Sequence, residues 1–336
     1  MIYTAQQALS TRKSNSDYLT WNKSSSSSVL SKNPHNASNR IFDDYAIPNL
    51  PNSLRKHSLD TSKVFTMGSC FAREIERALR KRKGNITSMN NSLTDTREFH
   101  DASGNFKSGF FHRYTPTAML QELQIACTDV PEWDIKQSLI FNNGEVFEDF
   151  NYCEVGFPAD LNSITYRRRI ANQLVSNFKS SDVIILTLGL NESWLHKPTG
   201  LHCNRINPKI LHKSKEDFEL HILSHTEVSS CLKEIHALIS KFHVSRKFEL
   251  VLTVSPVPMR ASFHTTDIVL SNEYSKSTLR SAVGEFCMSH DNVSYFPSYE
   301  MVRYSKPNLA WRPDRVHINP EMVQKIVDCF IETYMV

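Results

Sequence analysis

The feature that most constrains this chain is the run 183–188, Val-Ile-Ile-Leu-Thr-Leu, in which apolar residues follow one another without polar alternation. Such a run belongs to a strand buried on both faces, the hallmark of a parallel sheet covered by helices, and it is far too short to cross a bilayer. The run 248–254 has the same character. Helical periods precede both: 166–179 carries Tyr166, Ile170, Leu174 and Phe178 at three- to four-residue spacing, and Val228, Leu232, Ile235, Ile239 and Phe242 repeat the pattern. A shorter apolar run, 64–67, leads through Gly68-Ser69-Cys70 into a helical pattern over 71–83 with Phe71, Ile75, Ala78 and Leu79 on one side. Leu279, Ala282, Val283 and Phe286 form another helix ahead of the strand 293–296. The chain closes on a helix over 320–334, for which Asn319 reads as N-cap and Pro320 as the first helical residue. Strands alternating with helices predict an α/β fold: a parallel sheet sandwiched between helical layers, with right-handed connections.

Three stretches fall outside this alternation. Residues 1–62 are polar and rich in Ser, Asn and Lys, including the serine run at 24–28, and read as an irregular N-terminal extension to a catalytic domain spanning 63–336. Tyr18, Trp21, Phe42 and Tyr45 give that extension apolar rings with which to dock. The segments 85–165 and 196–226 read as insertions, because Pro, Asn, Gly and His interrupt any period.

With 39 Lys and Arg against 35 Asp and Glu, the net charge of +4 is too small and too scattered for a nucleic-acid binder. The first residues lack the charged and apolar regions of a secretory signal, and no run spans a membrane. Seven cysteines without a CxxC pair fit neither a disulfide framework nor a zinc cluster. Together these features predict a cytoplasmic protein that binds no nucleic acid; its oligomeric state stays open.

In parallel α/β sheets, ligands bind beyond the carboxyl ends of the strands, so chemistry-bearing residues are sought there. Ser69 stands directly after one strand and opens a helix, where free N–H groups and the helix dipole favour an oxyanion. Taken alone, a serine in this place is a helix cap. Asn191, in the Gly189-Leu190-Asn191-Glu192 segment after a second strand, carries an amide able to donate to an oxyanion; alone, it is a turn residue. Asp314 and His317, three residues apart at the entrance of the last helix, are spaced so that the carboxylate can orient the imidazole as a base. Together the residues supply a nucleophile, an oxyanion donor, a base and the group that orients the base.

The stretch Gly68-Ser69-Cys70-Phe71-Ala72 spells the motif of the GSCFA family, which resembles a branch of the SGNH/GDSL hydrolases. The resemblance continues through 187–194, 253–258 and 295–300 and ends at Asp314 to Asn319. It implies a three-layer α/β/α sandwich in which Ser69 is the nucleophile, Asn191 an oxyanion donor, and Asp314 and His317 the acid–base pair. The chain departs from the SGNH pattern in carrying Cys70 after the serine and Glu192 where that pattern has Asp. For the glycine of the second oxyanion position Gly84, Gly104 and Gly109 stay open, as does a hole built differently.

Cys70, one residue into the helix, is expected to offer its backbone N–H to the oxyanion rather than its thiol as nucleophile. The pairs His202 with Cys203 and His221 with His225 lack further ligands at a metal-site spacing, and no bound metal or tight cofactor is expected. The basic runs 80–83 and 166–169 read as solvated cations. The resulting expectation is serine-dependent O-acyl transfer on a carbohydrate, an O-acetyltransferase of surface polysaccharide synthesis with acetyl-CoA as candidate donor. The alternatives are an SGNH-type esterase acting on a carbohydrate or small-molecule ester and, from another class, a non-catalytic glycan- or protein-binding module.

Overall fold

The computed structural model describes residues 4–14, 18–21, 32–50, 54, 57–89, 91–94, 99–100, 108–128, 140–142, 147–152, 160–244 and 247–336. Gly104, Cys153 and the serine run 24–28 lie outside the described residues. The chain divides into two compact units, Ser58–Phe296 and a second that joins Met1–His57 to Pro297–Val336. The division falls at two places, whereas the sequence suggests one boundary near residue 62 and a catalytic domain running on to 336.

The larger unit is built on four parallel strands, β1 (Val64–Gly68), β2 (Val183–Leu188), β3 (Glu249–Val254) and β4 (Val293–Tyr295), lying side by side in that order. Every residue of β1, β2 and β3 is buried, as their unbroken apolar runs require. The helices are α1 (Cys70–Lys81), α2 (Pro116–Ile125), α3 (Leu161–Val175), α4 (His225–Phe242) and α5 (Ile268–Met288). Their starts are chemically marked. Thr115 caps α2 ahead of Pro116, Asp160 caps α3, and Ser224 and Glu227 form a reciprocal capping box on α4.

Beyond β1 the sheet gains one more rung. Val64 donates its N–H to Asn85 O at 2.9 Å and accepts from Thr87 N at 2.8 Å, a parallel bridge to Ile86. The chain thus leaves β1 through α1 toward this outer edge, then returns through β2, β3 and β4 in the opposite direction. Right-handed crossovers in opposite directions put α1 on one face of the sheet and α3, α4 and α5 on the other. The packing agrees: α1 lies on β1 and β2, while α5 packs on β3, β4 and α4, and α2 on α3 and α4. These are the three layers. The reversal of strand order occurs beside β1, at a switch point of the kind that opens a crevice at the carboxyl edge. Asn85 to Thr87 therefore belong to the sheet, a correction to their reading as insertion.

The segment 192–222 forms a small antiparallel sheet with Glu192–His196 at its centre, flanked by Leu201–Cys203 and Phe218–Ile222. In the run 166–169, Arg167 and Arg168 are buried, and Arg168 grips the Asp149 carboxylate with two donors, Nη2 at 2.7 Å. The sequence suggests a solvated run; Arg169 is exposed, but Arg168 is turned inward because Asp149, ending the strand Phe147–Asp149, supplies the opposite charge that burial demands.

In the smaller unit, α6 (Pro320–Tyr334) buries Val323, Ile326, Val327, Phe330 and Tyr334. Asn319 holds the N-cap position without capping, because its amide donates to the Asn308 and Leu309 carbonyls at 3.0 Å each. The N-terminal aromatics do dock. Trp21 and Phe42 stand against Tyr304 with ring centroids 6.5 and 6.0 Å away, and the Tyr45 hydroxyl donates to Glu321 at 3.1 Å.

Candidate active site

At the carboxyl end of β1, Gly68 has φ +152, a conformation side chains rarely adopt. A Cβ there would lie 2.5 Å from the Thr187 carbonyl oxygen of β2, so only glycine lets the two strands end together. Ser69 follows in extended conformation at the N-cap of α1, yet its side chain makes no capping bond. Its Oγ donates instead to Ser255 Oγ at 3.0 Å. Ser255 follows β3 and is fixed there by its own N–H on Leu188 O at 2.8 Å, so the hydroxyl pair spans the carboxyl end of β2. Ser69 is 3% exposed, whereas the sequence suggests a projecting hydroxyl; closure over β2 is the reason. Cys70 is the first residue of α1 and half-buried.

The loop after β2 is held from three sides. Gly189 and Leu190 both give their N–H groups to the Tyr114 carbonyl, at 2.9 and 2.8 Å. Asn191 is 1% exposed; its N–H donates to Ser275 Oγ at 3.0 Å and its side-chain Nδ2 to Leu223 O at 3.0 Å. One amide hydrogen of Asn191 is thus committed to the loop, as a turn residue's would be. The carboxylate of Glu192 in turn accepts from the Ser262 hydroxyl and from Phe263 N at 3.1 Å.

Three further residues stand at this edge, none of them given a role by a sequence motif. Ser255 satisfied the same strand-end criterion as Ser69. Lys276 is 0% exposed and its Nζ donates to Gly189 O at 2.7 Å and Val257 O at 2.8 Å. Burial pushes its ammonium down to about 7. His112 is bridged to Gly68 through the backbone. Burial, with Arg73 and Arg113 around it, pushes its imidazole down to about 3. A ring so reluctant to take a proton is a poor general base near neutral pH.

Gly84, a candidate for the second oxyanion position, sits past the far end of α1, roughly 18 Å from Ser69 by the rise of a twelve-residue helix. Its N–H is given to Leu79 O at 3.0 Å, and it is removed from consideration. Gly109 lies three residues before His112, its carbonyl accepting from His112 N at 3.0 Å. His221 ends up in a strand and His225 in the first turn of α4, not one helical turn apart. Among the described residues no group of three metal-ligating side chains gathers.

Asp314 and His317, the pair expected to act as acid–base partner, lie in the smaller unit. Asp314 Oδ1 accepts the N–H groups of Val316 and His317 at 2.9 and 3.0 Å, and its Oδ2 meets His317 Nδ1 at 2.6 Å. Arg315, at φ +55, provides the tight curl that folds the imidazole back over the carboxylate. The bond from the His317 ring holds the Asp314 carboxyl well below the usual carboxylate range. A bridge between Trp311 and Ile318 closes the loop. The structure thus joins Asp314 to His317 in one unit, and Ser69 to Ser255 at the strand edge of the other.

The GSCFA family profile matches residues 63–330, most of the chain. The protein belongs to the GSCFA family. No curated protein gives a significant match. The span shared with the GSCFA family begins at Lys63, just before β1, and reaches Phe330 within α6. It therefore contains Ser69, Ser255, Lys276, Asp314 and His317, and leaves out the docked N-terminal aromatics.

Proposed function

We propose that this GSCFA chain is a serine-dependent acyl-transfer enzyme in which Ser69 is the nucleophile, His317 the base and Asp314 the group that orients it. The observation that carries the reading is the state of the Ser69 hydroxyl. Its simplest alternative role is to cap α1, and it does not: among the described residues its hydroxyl bonds to another hydroxyl, at the strand end where α1 begins. The Asp314–His317 geometry adds to it, since Nδ1 on a carboxylate leaves Nε2 as the proton acceptor.

In this scheme Ser69 Oγ loses its hydrogen to the base as it attacks an acyl carbonyl, and His317 is the residue proposed for that base. The tetrahedral oxyanion is met by the Cys70 N–H and by the second Nδ2 hydrogen of Asn191. Collapse breaks the bond to the leaving group, which takes the proton from His317. An acyl ester remains on Ser69; a sugar hydroxyl attacks it next, giving its proton to His317, and collapse breaks the Ser69 Oγ–acyl bond as His317 returns that proton to Oγ. The likeness of the sequence to SGNH/GDSL enzymes favours an O-acetyltransferase of surface polysaccharide synthesis with acetyl-CoA as donor; with water as acceptor, the same site is an esterase. The test is to incubate the protein with acetyl-CoA or a chromogenic acetyl ester, with and without an oligosaccharide acceptor. Acetate carried to the sugar and lost with Ser69→Ala supports the transferase. Acetate released into water at a rate the sugar leaves unchanged makes it an esterase, and no turnover of either donor removes the catalytic reading.

A further inference from the structure

Helix α5 carries a buried stripe through Leu279, Ala282, Val283 and Phe286, and one turn earlier the same face presents Ser275 and Lys276. A lysine at a core position costs free energy unless each donor finds an acceptor. Here the acceptors come from two different loops. The Nζ atom bonds Gly189 O at 2.7 Å in the loop after β2, and Val257 O at 2.8 Å in the loop after β3. Its neighbour Ser275 accepts the Asn191 N–H at 3.0 Å. Val257 is two residues beyond Ser255, the partner of Ser69, and Gly189 is two residues before Asn191. Two carbonyl dipoles drawn toward one point repel unless a cation or donor stands between them. Lys276 is thus the clip between the loop that carries Ser255 and the loop that carries Asn191.

We propose that Lys276 is a positioning residue for the Ser69 site: its two Nζ hydrogen bonds fix the Ser255 and Asn191 loops against each other, so that nucleophile and oxyanion donor keep their spacing. This rests on the acyl-transfer reading given above. Burial lowers the proton affinity of Lys276, and Cys70, at the start of α1, and Glu273 are the groups whose charges act back on it. A shift of about 1 Å in such a constellation is enough to cost about 100-fold in rate.

The test compares the full chain with Lys276→Met, which keeps the length of the side chain and removes the donors. Reaction of Ser69 with a fluorophosphonate is followed by intact mass, and ester turnover gives kcat and KM. The expected result is a labelling rate and kcat both lower by about 100-fold, with KM changed little. Propylamine added to Lys276→Ala should restore part of the rate by filling the vacated site with an ammonium. Folded Lys276→Met that labels at the rate of the unaltered chain overturns the proposal. Hydrogen exchange supplies a readout independent of catalysis. Amides at 189–191 and 255–259 should exchange faster in either variant, while those of α4 do not, and unchanged exchange in the two loops contradicts the clip. Failure of the unaltered chain to label at all counts against the acyl-transfer reading, and the exchange result then decides on Lys276 by itself.

Discussion

The Ser69 turn and the Asp314–His317 loop are built on opposite principles. Ser69 sits in a place fixed by the sheet: β1 ends against β2 so closely that Gly68 has no substitute, and the hydroxyl is buried against Ser255. Asp314 and His317 are held almost wholly by themselves, three bonds to one carboxylate on a loop where their side chains are 47% and 60% exposed. Ser69 inherits its position from the core, so changes to the backbone around it should be felt as stability. Asp314 and His317 inherit theirs from four residues of local chain, so changes there should leave stability largely alone.

The largest effect should come from Gly68→Ala. A methyl 2.5 Å from a backbone oxygen, on a residue at φ +152, forces β1 and β2 apart. A loss of more than about 3 kcal/mol is expected, read as insoluble protein or a collapsed melting temperature. Next is Ser69→Ala, which should lower turnover by at least about 10⁴-fold while the lost bond to Ser255 costs about 1 kcal/mol by denaturant unfolding. Asp314→Asn should lower kcat by about 10³- to 10⁴-fold and leave the melting curve unchanged. A lowered melting temperature for that variant would erase the contrast between the two regions.

The smallest effect is one of pH. Lys276 has a proton affinity of about 7 in the fold against 10.5 when free, so the unfolded chain holds more protons between those values. Stability contributed by this group therefore rises with pH across that window, by at most about 1.4 kcal/mol per unit. Lys276→Met should flatten the stability of the chain between pH 7 and 9 relative to the unaltered protein, and Asp314→Asn should not. Melting curves at pH 7, 8 and 9 on the three proteins decide it.

The sheet was legible because β2 and β3 are runs that only double-sided burial explains, and α6 because its stripe follows Asn319-Pro320. The rung at Ile86 was not, since a single bridge leaves no periodic trace. The first turn of α5 escaped because Ile268, Val269 and Leu270 are exposed apolar residues that break the amphipathic pattern. The strand-end place of Ser69 and the meeting of Asp314 with His317 could be read from position and spacing. Lys276 left a signal that went unused: it lies three residues before Leu279, on the stripe itself, where a lysine must have partners. The bond of Asn191 to Leu223 could not be foreseen, because its acceptor is a carbonyl 32 residues away.

The proposal that His317 is the base for Ser69 is tested most directly by the rate at which a fluorophosphonate adds to Ser69 in the unaltered chain and in His317→Ala. The account predicts a single adduct, mapped to Ser69, forming at least about 100-fold more slowly in His317→Ala at an unchanged melting temperature. An equal rate in folded His317→Ala, or an adduct that persists in Ser69→Ala, would contradict it.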